Sequence, residues 1–173
     1  MNLFMKKDKL KKDEFVELLY QSLTRNFDAS QLLKKVNYPI LNLYIQDETL
    51  PQKAMVTAYI FYCWIIMFSV RRLFPNIYKE VLGAFLEILW ERGNIKKEYK
   101  NLENFISVVE LDFDKYEDAI SDENDPMLKL CTLFLNHLFN REVTDVRAIH
   151  YVSAYFYERS KIYSKIFSRI EIL

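Results

Sequence analysis

Glycine is nearly absent from this chain, and its scarcity limits the folds that the chain can adopt. Two glycines and four prolines occur among 173 residues. Tight β-hairpin turns and phosphate-binding loops rely on glycine, because their backbones adopt positive φ angles or approach a ligand closely. Gly83 and Gly93 stand ten residues apart, outside any nucleotide-binding motif. β-rich and Rossmann-like folds are therefore disfavoured.

Apolar residues recur at helical spacing along nearly the whole chain, and no segment shows the alternation expected of a half-buried strand. With 173 residues, 51% of them hydrophobic, the chain is long and apolar enough to bury one core without metals or disulfides. We therefore predict an all-α fold, in which residues 1–173 form a single domain. Six to eight helices would surround a central apolar helix at about 51–73.

Capping residues and prolines set the boundaries of the predicted helices. After the first helix, Asp28 or Ser30 caps a helix that Pro39 interrupts, with 40–45 as a possible continuation. Thr49 and Gln52 form the start signal of the central helix. Thr144 is the expected cap of the last helix. Apart from the helix before Pro39, we predict helices at 8–25, 51–73, 76–92, a segment ending near 110, 126–140 and 145–170. The acidic stretch 113–120 also shows a short helical period.

Residues 54–70 contain no charged side chain and are flanked by Lys53 and Arg71. A membrane-spanning helix needs about 20 apolar residues. This stretch has 17 and includes Thr57 and Ser69. We therefore expect it to be wrapped by the other helices of a soluble bundle. Insertion into a membrane is the alternative.

Charge and cysteine content limit the cellular compartments and the classes of partner that fit this chain. Lys and Arg total 24 and so do Asp and Glu, so no net field attracts nucleic acid. Cys63 and Cys131 lie in apolar stretches, which is typical of reduced, buried thiols. Residues 1–12 are basic but no apolar core follows them, so we expect no signal peptide. These features predict a cytoplasmic protein that has no cofactor and no metal, and for which nucleic acid and membranes are unlikely partners.

The segment 110–125 departs most from the rest of the chain, because it carries eight acidic residues and a single cation, Lys115. Such a segment can steer a basic partner, and aromatic residues within it can anchor that partner. We therefore predict a non-catalytic helical protein-binding module, such as an inhibitor, an immunity-type protein or an adaptor. The predicted binding residues are Glu110, Asp112, Phe113, Asp114, Tyr116, Glu117 and Asp118.

Two alternatives from other classes stay open. Arg147 and His150 are one helical turn apart, and a guanidinium beside an imidazole could act on a phosphodiester. This pair would make the chain a helical RNA-cleaving or nucleotide-handling enzyme. The other alternative is an apolar small-ligand binder, because 16% of the residues are aromatic and such a core could enclose a cavity.

Overall fold

A computed structural model describes residues 7–26, 52–93, 95–140 and 142–173. In these ranges the chain forms six α-helices, one 3₁₀ turn and two short strands. The predictions for 28–45 and 49–51 lie outside the described residues. In chain order the elements are β1 (Asp8–Leu10), α1 (Lys12–Asn26), α2 (Gln52–Leu73), α3 (Tyr78–Arg92), the 3₁₀ turn Lys96–Glu98, α4 (Leu102–Ile120), α5 (Pro126–Phe139), α6 (Val146–Phe167) and β2 (Ile170–Ile172).

The apolar helix α2 is the centre of the fold, as predicted. It contacts each of the other five helices, and every residue in 61–67 is at most 1% exposed. Within the described ranges, α2 is the one helix that is long and apolar enough to cross a membrane, but 67% of its apolar window is buried inside the protein. α2 is therefore the buried core helix of an all-α bundle.

Aromatic rings fill the space around α2. The ring of Phe61 stacks on Phe134 of α5 with centroids 4.0 Å apart, and Trp64 stacks on Phe156 of α6 at 5.4 Å. Large rings bury much apolar area with few rotatable bonds, so these pairs fix how α5 and α6 pack on α2.

The two ends of the described chain pair as a two-stranded parallel sheet, although the sequence predicts no strand. Asp8 pairs with Ile170 and Leu10 with Ile172. The helix predicted to start at residue 8 begins instead at Lys12, because the Glu14 carboxylate accepts the Lys11 N–H at 2.8 Å, as in a capping box. The preceding residues are then extended and free to pair with β2.

Four other predicted boundaries differ from the structure. The helix expected to end near residue 110 continues to Ile120. Pro75 lies in a turn and α3 begins at Tyr78. Asp145 caps α6 in place of Thr144, since its carboxylate accepts the N–H groups of Arg147 and Ala148 at 2.9 and 3.2 Å. That helix ends at Phe167, because the residues after it pair with β1.

Candidate functional site

The acidic segment forms the second half of α4 and the turn that leads to α5. α4 begins at the cap Asn101, whose side chain accepts the Asn104 N–H at 2.8 Å. Asp125 occupies the N-cap position of α5 with a left-handed backbone (φ 57°, ψ 57°) and no side-chain cap bond, and Pro126 follows it. All seven predicted binding residues therefore lie on one helix, and the sides of the helix that they occupy can be compared directly.

Two of those residues are not on the surface. Phe113 and Tyr116 are 3% and 0% exposed, and the Tyr116 ring contacts Phe61 and Trp64 at centroid distances of 5.2 and 5.4 Å. The prediction that they anchor a partner is wrong. They continue the inward stripe that begins with Phe105 and Val109, and this regular spacing was the signal in the sequence that they belong to the core.

Asp112 and Glu117 lie at the sides of the helix, where cations already pair with them. Lys115 Nζ is 3.3 Å from Asp112 Oδ1, and Arg71 Nη1 is 3.3 Å from Glu117 Oε2. Their carboxylates therefore serve contacts within the protein. In the following turn, Asp122 likewise forms an ion pair with Lys129.

Glu117 is the most unusual carboxylate of the segment, because its side chain is only 19% exposed. Burial raises its pKa, whereas the Arg71 guanidinium opposes that rise. Neither Trp64 Nε1 nor Glu117 Oε1 has a hydrogen-bond partner at bonding distance among the described residues. The Glu117 carboxylate therefore lies in the contact between α2 and α4.

The remaining three predicted acids form a continuous outward surface. Glu110, Asp114 and Asp118 follow one another at spacings of four and are all exposed. In the described part of the chain, no lysine or arginine lies within 4 Å of their carboxylates. We call these three residues together with Leu111 the acidic face.

Leu111 is the apolar member of the acidic face, and it is not among the residues predicted to bind a partner. Its side chain is 56% exposed, and it lies next to Glu110 and three residues before Asp114 on the same side of the helix. A leucine three residues from an acid on the outward side, opposite the Phe105–Val109–Phe113 stripe, was the signal that could have identified it. Leu111 is thus the exposed apolar side chain on this side of α4, where Phe113 and Tyr116 are buried.

The carboxylates of α4 also affect Tyr78, the first residue of α3. Tyr78 is partly buried and lies under the Arg71 guanidinium, 5.6 Å from its ring centroid. Burial raises the pKa of Tyr78 to about 12, and Glu117, Asp114 and Glu110 add to this rise. Asp114 and Glu110 of the acidic face therefore act on Tyr78 at the start of α3, less strongly than Glu117, while Arg71 opposes them.

A second acidic feature lies beside α1. It is a groove of about 480 Å³. Two of its three carboxylates already bind within the protein, because Glu17 pairs with Arg92 at 2.8 Å and Glu14 accepts the Lys11 N–H. This groove is less suited to a basic partner than α4. Its lining consists of Leu10, Asp13, Glu14, Glu17, Leu18 and Gln21.

Arg147 and His150 lie in the first turn and a half of α6, and both are exposed. The Arg147 guanidinium pairs with the capping residue Asp145 at 3.3 Å. It therefore forms an ion pair within the first turn of α6. Among the described residues, no group of three or more potential metal ligands comes together.

No protein-family model, curated protein sequence or solved structure matches this chain. The class of protein is therefore defined by its own residues: an all-α bundle with a buried central helix and an acidic face on α4.

Proposed function

We propose that the protein is a non-catalytic binding module whose acidic face docks a basic segment of another protein. The observation that carries this proposal is the exposed Leu111 among three carboxylates that have no cation in reach within the described ranges. An apolar side chain surrounded by like charges matches the layout of an interface with a central contact and a charged rim.

The acidic face does not stabilise its own helix, which supports a role in binding. Glu110, Asp114 and Asp118 are like charges at i,i+4 spacing, and each such pair disfavours a helix by about 0.2–0.5 kcal/mol. Asp118 also lies in the last turn of α4, where no basic residue offsets the negative end of the helix dipole. A basic partner would remove both penalties.

The partner best suited to this surface is a lysine- or arginine-rich segment that also presents one apolar side chain to Leu111. Charge complementarity would accelerate association, and burial of Leu111 would slow dissociation. The binding should therefore weaken as salt increases, since the carboxylates are exposed.

The test compares two triple variants of the full chain in affinity purification from the native host. Glu110→Lys/Asp114→Lys/Asp118→Lys reverses the acidic face, and Glu87→Lys/Glu91→Lys/Glu158→Lys reverses three exposed acids on α3 and α6. We expect a protein captured by the wild type to be kept by the second variant and lost by the first. Equal capture by both variants would exclude the acidic face.

We also propose a cytoplasmic location. Cys63 and Cys131 are buried and free, and burial raises the pKa of both thiols, to about 12 for Cys131. Such thiols are protonated and unreactive, which suits a reducing compartment. Expression of a tagged chain in the native host, followed by fractionation, tests the location.

A further inference from the structure

A row of tyrosines with one arginine runs along α6. Tyr151, Tyr155, Arg159 and Tyr163 occupy every fourth position, so their side chains lie next to one another on one side of the helix. Tyr62 of α2 joins the row, because its Oη is 2.6 Å from Oη of Tyr163. We call these five residues the tyrosine–arginine cluster.

Arg159 lacks a counter-charge in the described part of the chain. Its guanidinium carbon lies 5.3 Å from the centroid of the Tyr155 ring. Its Nε is buried and has no hydrogen-bond partner there, and no described carboxylate is within 4 Å of it. A half-buried cation without an anion is unfavourable, and a guanidinium has five N–H donors to satisfy.

The phenols around Arg159 do not supply a negative charge. Burial raises the pKa of Tyr62 and Tyr155, while Arg159 lowers it to a smaller extent. Both phenols therefore remain protonated at neutral pH and carry no negative charge that could neutralise Arg159. The cluster as a whole is positive.

The tyrosine–arginine cluster is exposed to solvent on one side and buried on the other. Tyr151, Tyr155 and Arg159 are partly exposed, whereas Tyr62 and Tyr163 are fully buried. Solvent can therefore reach the guanidinium, and the two buried phenols form the floor beneath it.

We propose that the tyrosine–arginine cluster binds the phosphate group of a small molecule. The guanidinium matches two phosphate oxygens with parallel N–H donors, and the Tyr155 hydroxyl can donate to a third oxygen. A carboxylate offers two oxygens, whereas a phosphate has an additional oxygen that can accept from the Tyr155 hydroxyl while two others accept from the guanidinium. This site is on α6 and does not depend on the function proposed for α4.

The test titrates inorganic phosphate and phenyl phosphate into the full chain at constant ionic strength, followed by calorimetry and ³¹P NMR line broadening. Acetate is titrated in parallel. We expect saturable binding of phosphate by the wild type and weaker binding of acetate. Tighter binding of phenyl phosphate than of phosphate would assign the site to a phosphomonoester, and equal binding would assign it to the free anion. No binding of either phosphate compound would overturn the proposal.

Variants assign the binding to the cluster. Arg159→Gln should weaken phosphate binding by about tenfold or more, because a charged hydrogen bond is lost, and Tyr155→Phe should weaken it less. Lys161→Gln, an exposed cation two residues further along α6, should bind as the wild type does. If Arg159→Gln fails to fold, Arg159→Lys keeps the charge without the planar fork and should still bind several times more weakly. Unchanged binding in the folded arginine variant would refute the site.

Discussion

Arg71 Nη1 and Glu117 Oε2 lie 3.3 Å apart and join the end of the central helix α2 to α4. Arg71 is half exposed, whereas Glu117 is mostly buried beside Trp64. The arginine therefore keeps much of its hydration, and it does not fully offset the burial of the carboxylate. The net effect is a raised pKa for Glu117.

This pKa shift predicts how Glu117 contributes to stability at different pH. A carboxyl whose pKa is higher in the folded than in the unfolded state holds its proton longer when folded, so its contribution is lost as pH rises through that window. Glu117→Gln cannot lose that contribution. We expect the free energy of unfolding of Glu117→Gln, relative to wild type, to increase between about pH 4 and pH 7.

Urea denaturation at both pH values measures this difference. Glu110→Gln, on the exposed side of the same helix, is the matched control. An equal pH dependence of the two variants would contradict the assignment to burial of Glu117.

The buried aromatics of α4 give a second prediction. Phe113→Ala leaves a cavity in the core and should cost about 3–5 kcal/mol. Tyr116→Phe should leave stability unchanged or raise it, since Tyr116 Oη is buried without a hydrogen-bond partner among the described residues. Thermal unfolding monitored by circular dichroism measures both. A large loss in Tyr116→Phe would mean that its hydroxyl has a partner that stabilises the fold.

The placement of Phe113 and Tyr116 shows what could be predicted from the sequence. The central helix and the all-α class follow from apolar spacing and glycine scarcity, which are local properties. Leu111 and Phe113 are both apolar and only two residues apart, but they lie on opposite sides of α4. Deciding which of the two faces the core requires the full inward stripe from Phe105 to Phe113. The predicted helix ends near residue 110 and therefore contains only part of that stripe.

Long-range contacts could not be predicted in this way. The pairing of β1 with β2 joins residues about 160 positions apart, and neither three-residue strand has a pattern of its own. The ion pair between Arg71 and Glu117 likewise depends on how α2 and α4 pack. These contacts are properties of the assembled bundle.

The start of α6 offers a third prediction, which separates the observed cap from the expected one. The Asp145 carboxylate accepts two backbone N–H groups of the first turn. Asp145→Ala should therefore lower the free energy of unfolding by about 1 kcal/mol. Thr144→Ala, one residue earlier, should have little effect because Thr144 is exposed and does not cap the helix. Chemical denaturation of the two variants side by side decides the matter, and a larger loss in Thr144→Ala would reverse the assignment.

The acidic face gives the last prediction, in which one kind of substitution has opposite effects at the two ends of α4. Asp118→Lys places a cation in the last turn and removes a repulsion with Asp114, so it should stabilise the protein by about 0.5–1 kcal/mol. Glu103→Lys removes an acid from the first turn, where the helix dipole favours it, and should destabilise by a similar amount. Both shifts should shrink in high salt, since both side chains are exposed. If Asp118→Lys also weakens capture of the partner while raising the melting temperature, then the acid at this position is kept for binding at the expense of stability. A drop in melting temperature for Asp118→Lys would show instead that the acidic face stabilises the fold.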